Sequence, residues 1–66
     1  MSFKTEILAF HETKWVSNGV RFATADEAEA AGQELSMRWF ALDQWRAAES
    51  DEPVNYKFEN GKSVAL

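Results

Sequence analysis

Apolar residues recur with a helical period in only one stretch of the chain, residues 24–42. Spacings of three and four residues separate its main apolar positions, which are Ala28, Ala31, Leu35, Trp39 and Leu42. This spacing places them on one face and predicts a central helix over Thr24–Leu42. Because the small residues come first, we expect the N-terminal half to approach its partner closely. We expect Leu35 and Trp39 to anchor the other half in the core.

The first turn of this helix carries its own start signal. Thr24 and Glu27 have the spacing of a capping box, in which each side chain accepts a hydrogen bond from the other residue's backbone N–H. Gly32 lies in the helix interior, where glycine costs about 1 kcal/mol relative to alanine. We expect a close approach to a sheet at Gly32 to offset this cost.

Alternating polarity predicts a first strand over Phe3–Phe10, before the helix. Its second half is apolar on both faces, as in a strand with neighbours on both sides. Farther along, Asn18-Gly19 has the composition of a two-residue hairpin turn, which would pair Trp15 with Phe22. An irregular loop that leads into the helix cap is the competing interpretation.

Two further strands are expected after the helix, over Gln44–Glu49 and over Val54–Phe58. The residues between them, Ser50–Pro53, are typical of a turn. Proline has no backbone N–H to give to a sheet and biases the residue before it toward extended geometry.

Asn60-Gly61 indicates a second hairpin, for which two registers compete. A two-residue loop would turn Val64 away from the face of Tyr56. A three-residue loop, with Gly61 left-handed at a bulge, would instead pair Tyr56 with Val64. Because a one-residue slip inverts the buried face, we favour the bulged loop. Frayed C-terminal residues are a further alternative.

These elements together predict an α+β fold in two layers. One central helix packs on a small, mainly antiparallel sheet, in the order β-β-α-β-β. A chain of 66 residues suits one core, so we expect residues 1–66 to form a single small domain. With no cysteine to form a disulfide, stability must come from packing or from self-association.

Composition and charge argue against several functional classes. With no cysteine the chain can form no thiolate zinc site, and one histidine is too few for the usual metal constellations, so we expect neither a metal site nor a cofactor. The absence of cysteine suits a reducing cytoplasm. The longest apolar runs, Ile7–Phe10 and Trp39–Leu42, are too short for a membrane span or a signal peptide. A formal charge of −4 disfavours a surface that binds phosphate backbones.

Few residues suggest catalytic chemistry. His11-Glu12 is the only adjacent acid–imidazole pair, but neighbouring side chains on a strand point to opposite faces, so a surface or turn histidine is the simpler interpretation. Asp43, Asp51 and Glu52 lack the spacing of a calcium loop and suit helix-end and turn positions. Neither a Gly-rich phosphate loop nor a nucleophile elbow occurs. We therefore expect a protein that is not an enzyme.

Aromatic residues supply the candidate binding residues, which are Trp15, Trp45 and Phe40. With Tyr56 and Phe58, the two tryptophans could stack nucleic-acid bases on a sheet face, although the same four residues could simply form the core under the helix. Phe40 falls on the polar side of the predicted helix and is a candidate contact for another chain. A solitary exposed aromatic is the alternative interpretation of Phe40.

Some short strings carry a resemblance to a known group of proteins. They are Trp15, Arg21-Phe22-Ala23-Thr24, Glu27-Ala28, Arg38-Trp39, Trp45-Arg46 and Ser50-Asp51-Glu52-Pro53-Val54-Asn55-Tyr56. Over residues 15–58 the chain resembles a family of very small uncharacterised bacterial and phage-type proteins, and the last string is the most specific. The resemblance implies a bacterial or phage context and a cytoplasmic setting. It implies no activity, cofactor or catalytic residue.

The leading hypothesis for function is a non-enzymatic cytoplasmic protein-interaction module, with a homodimer as one form of it. The alternative is a nucleic-acid-associated accessory protein that uses aromatic stacking on the sheet. The distribution of positive charge discriminates between them. Clustering on one sheet face would favour nucleic acid and scattering would favour a protein partner; the residues concerned are Lys4, Arg21, Arg46 and Lys57.

Overall fold

The computed structural model describes the whole chain, Met1–Leu66. One helix packs against two small antiparallel sheets, which makes the protein α+β. In chain order the elements are β1 (Ser2–Ala9), α1 (Ala25–Arg38), β2 (Leu42–Ser50), β3 (Tyr56–Glu59) and β4 (Lys62–Ala65). The first sheet pairs β1 with β2, the second pairs β3 with β4, and α1 contacts all four strands. The fold-class prediction is confirmed, although the order is β-α-β-β-β.

The difference in order arises because the predicted Asn18-Gly19 hairpin is wrong. Residues 16–22, which we call the β1-edge segment, lie instead along the edge of β1 that faces away from β2. Phe3 exchanges backbone hydrogen bonds with Phe22 at 2.8 and 2.7 Å, and Ile7 exchanges them with Val16 at 2.8 and 2.9 Å. β1 thus supplies backbone hydrogen-bond partners to both ends of this segment. In an isolated hairpin the two ends would have to bond to each other. The irregular-loop interpretation is therefore closer to the structure, and β1 is central as expected.

The helix begins at the predicted cap. Thr24 is extended, and its hydroxyl accepts a 3.2 Å hydrogen bond from the N–H of Glu27. The return half of the capping box is absent, because one carboxylate oxygen of Glu27 accepts from the Thr24 hydroxyl at 3.1 Å. The other oxygen accepts from the N–H of Phe58 at 3.0 Å. Glu27 thereby ties the first helical turn to β3.

The N-terminal half of α1 packs as closely as predicted. Ala28 is fully buried, and Gly32 is buried against Trp45 of β2. A methyl group added at Gly32 would lie 2.5 Å from Cδ1 of Trp45, well inside van der Waals contact. The close approach therefore requires glycine here.

The C-terminal half of α1 departs from the prediction. The helix ends at Arg38, where Trp39 turns extended and donates its N–H to the carbonyl of Leu35 at 3.0 Å. Because the chain leaves the helical path there, Trp39 no longer continues the apolar stripe and stays 39% exposed. Leu35 is only half-buried. The prediction that Leu35 and Trp39 anchor the helix is wrong, and Phe40 lies in the α1–β2 turn rather than on the helix.

The second hairpin has a two-residue loop, so the favoured bulged register is wrong. Asn60 and Gly61 both have positive φ, 52° and 77°, as a tight turn of this kind requires. Tyr56 consequently faces Ala65, and Lys57 faces Val64. The C-terminus is not frayed, because the N–H of Leu66 donates to the carbonyl of Asn55 at 3.0 Å.

The predicted strand over Gln44–Glu49 is confirmed within β2, whereas the one over Val54–Phe58 begins only at Tyr56. Asn55 is not part of β3, because its backbone and side chain form hydrogen bonds with Gly19 and Arg21 of the β1-edge segment.

Candidate functional site

The most elaborate polar contacts surround Arg21, whose side chain is only 8% exposed. Its Nε donates to the Ser50 hydroxyl at 3.0 Å, and one terminal nitrogen donates to the carbonyls of Asn18 and Val20 at 2.6 and 3.0 Å. The other terminal nitrogen lies 3.2 Å from a carboxylate oxygen of Glu52. The guanidinium is thus surrounded by acceptors from the chain itself.

Asn55 completes this corner from the other side. Its amide oxygen accepts from the N–H of Arg21 at 2.7 Å, and its amide nitrogen donates to the carbonyl of Gly19 at 2.8 Å. The Ser50–Tyr56 string, the most specific part of the resemblance, therefore holds residues 18–21 in place. Because its polar groups already form hydrogen bonds within the chain, this corner stabilises the fold and offers no free group for a ligand.

The four aromatic residues considered for base stacking do not form one platform. Trp45 packs beneath Gly32, and Phe58 makes an edge-to-face contact with the buried Phe22 at 6.4 Å between ring centroids. The guanidinium of Arg46 lies 4.0 Å from the ring centroid of Trp15 and covers it. Tyr56 lies on the separate β3–β4 sheet. Of the three candidate binding residues, only Phe40 presents a free aromatic surface.

The residues considered for catalysis or metal binding are also separated. His11 is exposed in the turn after β1, with φ of 70°, in a backbone region that is uncommon for residues other than glycine. Asp43 lies at the beginning of β2, whereas Asp51 and Glu52 follow its end, and Glu52 pairs with Arg21. No group of three or more His, Asp or Glu side chains is arranged to hold a metal ion.

The positive charges proposed as a discriminator are all paired with carboxylates and do not all lie on one sheet face. Lys4 and Arg46 both reach Glu6, at 3.8 and 2.7 Å. Arg21 is buried in its own corner, and Lys57 pairs with Glu59 at 3.3 Å on the second sheet. No basic stripe suited to a phosphate backbone results.

Four large apolar residues with exposed side chains lie near the α1–β2 turn. The turn that contains Phe40 is held beside the end of β1, because Phe10 donates its N–H to the carbonyl of Ala41 at 2.8 Å. The residues of this surface, which we call the apolar end, are Phe10 (53% exposed), Met37 (71%), Trp39 (39%) and Phe40 (92%). The sequence pattern had singled out Phe40 alone. Phe10 and Met37 were missed because the strand and helix patterns gave them no special position.

A second open feature is the outer edge of β2. This strand of nine residues pairs with β1 on one side, and neither β3 nor β4 contacts it on the other. Sequence patterns alone could not reveal this edge, since they do not specify which strand lies outermost.

A small groove runs between the helix and the β1-edge segment, with a volume of about 260 Å³. Its lining residues are Thr5, Ile7, Val16, Ser17, Asn18 and Leu35. Leu35 is therefore half-buried as a wall of this groove and not as a core anchor.

Comparison of the chain with protein-family models finds no match, and neither does comparison with curated proteins or with solved structures. The resemblance to small bacterial and phage-type proteins therefore stays a prediction. The helix α1 is too short and too polar to cross a membrane.

Proposed function

We propose that this chain is a cytoplasmic, non-enzymatic protein-interaction module that forms a homodimer through the apolar end. The observation that carries the proposal is the exposure of Phe40, 92%, within a group of large apolar side chains. Several large apolar side chains exposed in one region of a small protein are typical of an interaction site. A phenylalanine in a turn contributes little to the fold, so its contact with another chain gives a physical reason for its presence.

The small core supports self-association in particular. Only 6 of 66 residues are buried, and no disulfide or metal supplements them. Association that buries further apolar surface on the folded state stabilises that state by mass action. A second copy supplies a matching apolar surface without any other component, and two-fold contacts between identical surfaces are the commonest form of oligomer.

The polar groups favour this proposal over catalysis and over nucleic-acid binding. The side chains of Arg21 and Asn55 each make two hydrogen bonds to distant residues and Glu27 makes one, and all of these hold elements together. The paired cations, which do not all lie on one sheet face, favour a protein partner over the alternative of an accessory protein that stacks bases.

Sedimentation velocity of wild type and of Phe40→Glu, at tens of micromolar protein, tests the proposal. We expect a dimer for wild type and a lighter species for Phe40→Glu, because an interface would have to desolvate the new carboxylate. The matched control is Leu66→Glu, which places the same charge at another exposed apolar residue, 72% exposed, outside the apolar end. A wild-type protein that sediments as a monomer over the whole range would overturn the homodimer.

A further inference from the structure

The outer edge of β2 has free backbone hydrogen-bonding groups. Phe3 and Ile7 direct their backbone N–H and C=O groups to residues 16–22. Because successive residues of a strand direct these groups to opposite sides, the even-numbered residues Lys4 and Glu6 form backbone hydrogen bonds with β2. Their partners are Ala48 and Arg46. The alternate residues of β2 therefore turn their backbone groups outward; they are Trp45, Ala47 and Glu49.

Nothing in the chain occupies these outward groups. No backbone hydrogen bond outside the β1–β2 ladder involves any of the three residues, and no element covers that side of the strand. An open edge of this kind is a template for an added strand, unless its side chains prevent it. The side chains therefore decide which strands it accepts.

Two exposed carboxylates flank the edge, and neither takes part in an ion pair. Asp43 occupies the irregular position at the beginning of β2, and Glu49 lies near its end. Arg46, the only cation on the strand, is already held by Glu6 at 2.7 Å and stacked on Trp15. The edge is therefore acidic at both ends, with Trp45 and Ala47 between them.

A second copy of the chain is a poor occupant of this edge. Antiparallel pairing that overlaps the whole strand would place Arg46 opposite Arg46 of the other copy. It would also bring Asp43 of each copy against Glu49 of the other. Like charges directly opposite each other destabilise a sheet. The same carboxylates would attract a strand of opposite charge, and such discrimination is how natural edges select partners.

We propose that the free edge of β2 accepts an extended segment of another protein as an added antiparallel strand, and that this segment is basic. A lysine or arginine of the segment lies opposite Glu49, and a second one lies near Asp43. Between them a small residue faces Ala47. Main-chain hydrogen bonds supply most of the affinity, and the basic residues supply the specificity. This surface is distinct from the apolar end, so the inference is independent of the homodimer.

A short peptide titrated into isotopically labelled protein tests the proposal. The probe is Lys-Thr-Ala-Thr-Val-Thr-Lys with acetylated and amidated termini, whose lysines match Glu49 and Asp43 in antiparallel register. We expect the largest amide shifts and new exchange protection at Trp45, Ala47 and Glu49. The matched control peptide carries glutamate in place of both lysines, and we expect it to bind at least about tenfold more weakly at low salt.

Two variants of the protein separate edge pairing from nonspecific charge attraction. The double variant Asp43→Lys/Glu49→Lys should weaken the lysine peptide and strengthen the glutamate peptide, which reverses the preference. Glu49→Lys alone should only cancel the preference, because Asp43 keeps its charge. Ala47→Pro removes an outward N–H without breaking the ladder to β1, so it should abolish binding of both peptides. Ala48→Pro is the matched control for stability, since it removes a ladder N–H and should lower the melting temperature more.

The proposal is overturned by any of three results: equal affinity for the two peptides, shifts centred on Phe40 instead of β2, or no shift at millimolar peptide. Should Ala47→Pro fail to fold, a reversed preference in Asp43→Lys/Glu49→Lys with amide shifts still centred on Trp45, Ala47 and residue 49 decides the question.

Discussion

The two halves of α1 carry the same apolar stripe and use it differently. In the N-terminal half the apolar positions are small, and the backbone comes so near β2 that Gly32 touches Trp45. In the C-terminal half the stripe residue Leu35 is large and only half-buried, and Met37 is exposed off the stripe. Trp39 and Phe40, beyond the last helical residue, are exposed as well. Close packing of small residues therefore joins the N-terminal half of α1 to the sheet, whereas the large side chains near the α1–β2 turn stay exposed. The large residues of the core, Phe22 and Leu42, come from outside the helix.

Gly32→Ala should have the largest effect, because it pushes the tightly packed half away from the sheet. The added methyl group would lie 2.5 Å from Cδ1 of Trp45. Overpacking of this kind costs about 1–3 kcal/mol, even though alanine favours a helix by about 1 kcal/mol. Thermal or urea unfolding measures the loss. Gly19→Ala is the control, because a methyl group there would meet nothing within 4 Å. Equal stability of the two variants would contradict the close approach.

Glu27→Ala should have the next largest effect, since it removes the tie between the helix start and β3. The N–H of Phe58 loses its carboxylate acceptor, and Thr24 loses its partner. We expect a loss of about 1–2 kcal/mol in the free energy of unfolding, with weaker exchange protection at Phe58. Asp26→Ala removes the same charge from the same turn without a side-chain hydrogen bond, and should cost about 0.5 kcal/mol. If both variants lose a similar free energy of unfolding, Glu27 stabilises the helix only through its charge and not through these hydrogen bonds.

Trp39→Ala should have a smaller effect than removal of a core tryptophan. The side chain is 39% exposed and lies at the helix cap. Because about three-fifths of the side chain is buried, we expect the monomer to lose about 1–2 kcal/mol, compared with about 3–5 kcal/mol for a fully buried tryptophan. Unfolding of the monomer at low protein concentration measures this. A loss in the larger range would mean that Trp39 anchors the helix after all.

Local chemistry predicted some of these features, and tertiary contacts decided the others. The cap at Thr24 and the close approach at Gly32 depend on neighbouring residues and on residue size, which the sequence displays directly. Two Asn-Gly pairs gave opposite outcomes. At Asn60-Gly61 the turn signal predicts the observed two-residue loop. Burial of one face does not set the register there, because the hairpin is at most half-buried. At Asn18-Gly19 the edge of β1 overrode the signal by pairing with both ends of the segment.

The candidate site was predictable to a similar, limited extent. Phe40 stood out because an apolar residue interrupted a polar pattern, and it is indeed exposed. The rest of the apolar end required the contact between Phe10 and Ala41, which joins residues far apart in the chain. The free edge of β2 required the strand order, which depends on which residues compete for each side of β1.

Amide hydrogen exchange of wild-type protein, measured from low to high micromolar concentration, tests the central claim most directly. The claim is that the N-terminal half of α1 stabilises the fold, while the apolar end, formed by the end of α1, the α1–β2 turn and Phe10, binds a second copy. We expect protection at the apolar end, around Phe10 and residues 39–41, to rise with protein concentration. Protection around Ala28 and Gly32 should rise only as far as dimerisation stabilises the whole fold. Protection that is independent of concentration at Phe40 and its neighbours would contradict the account.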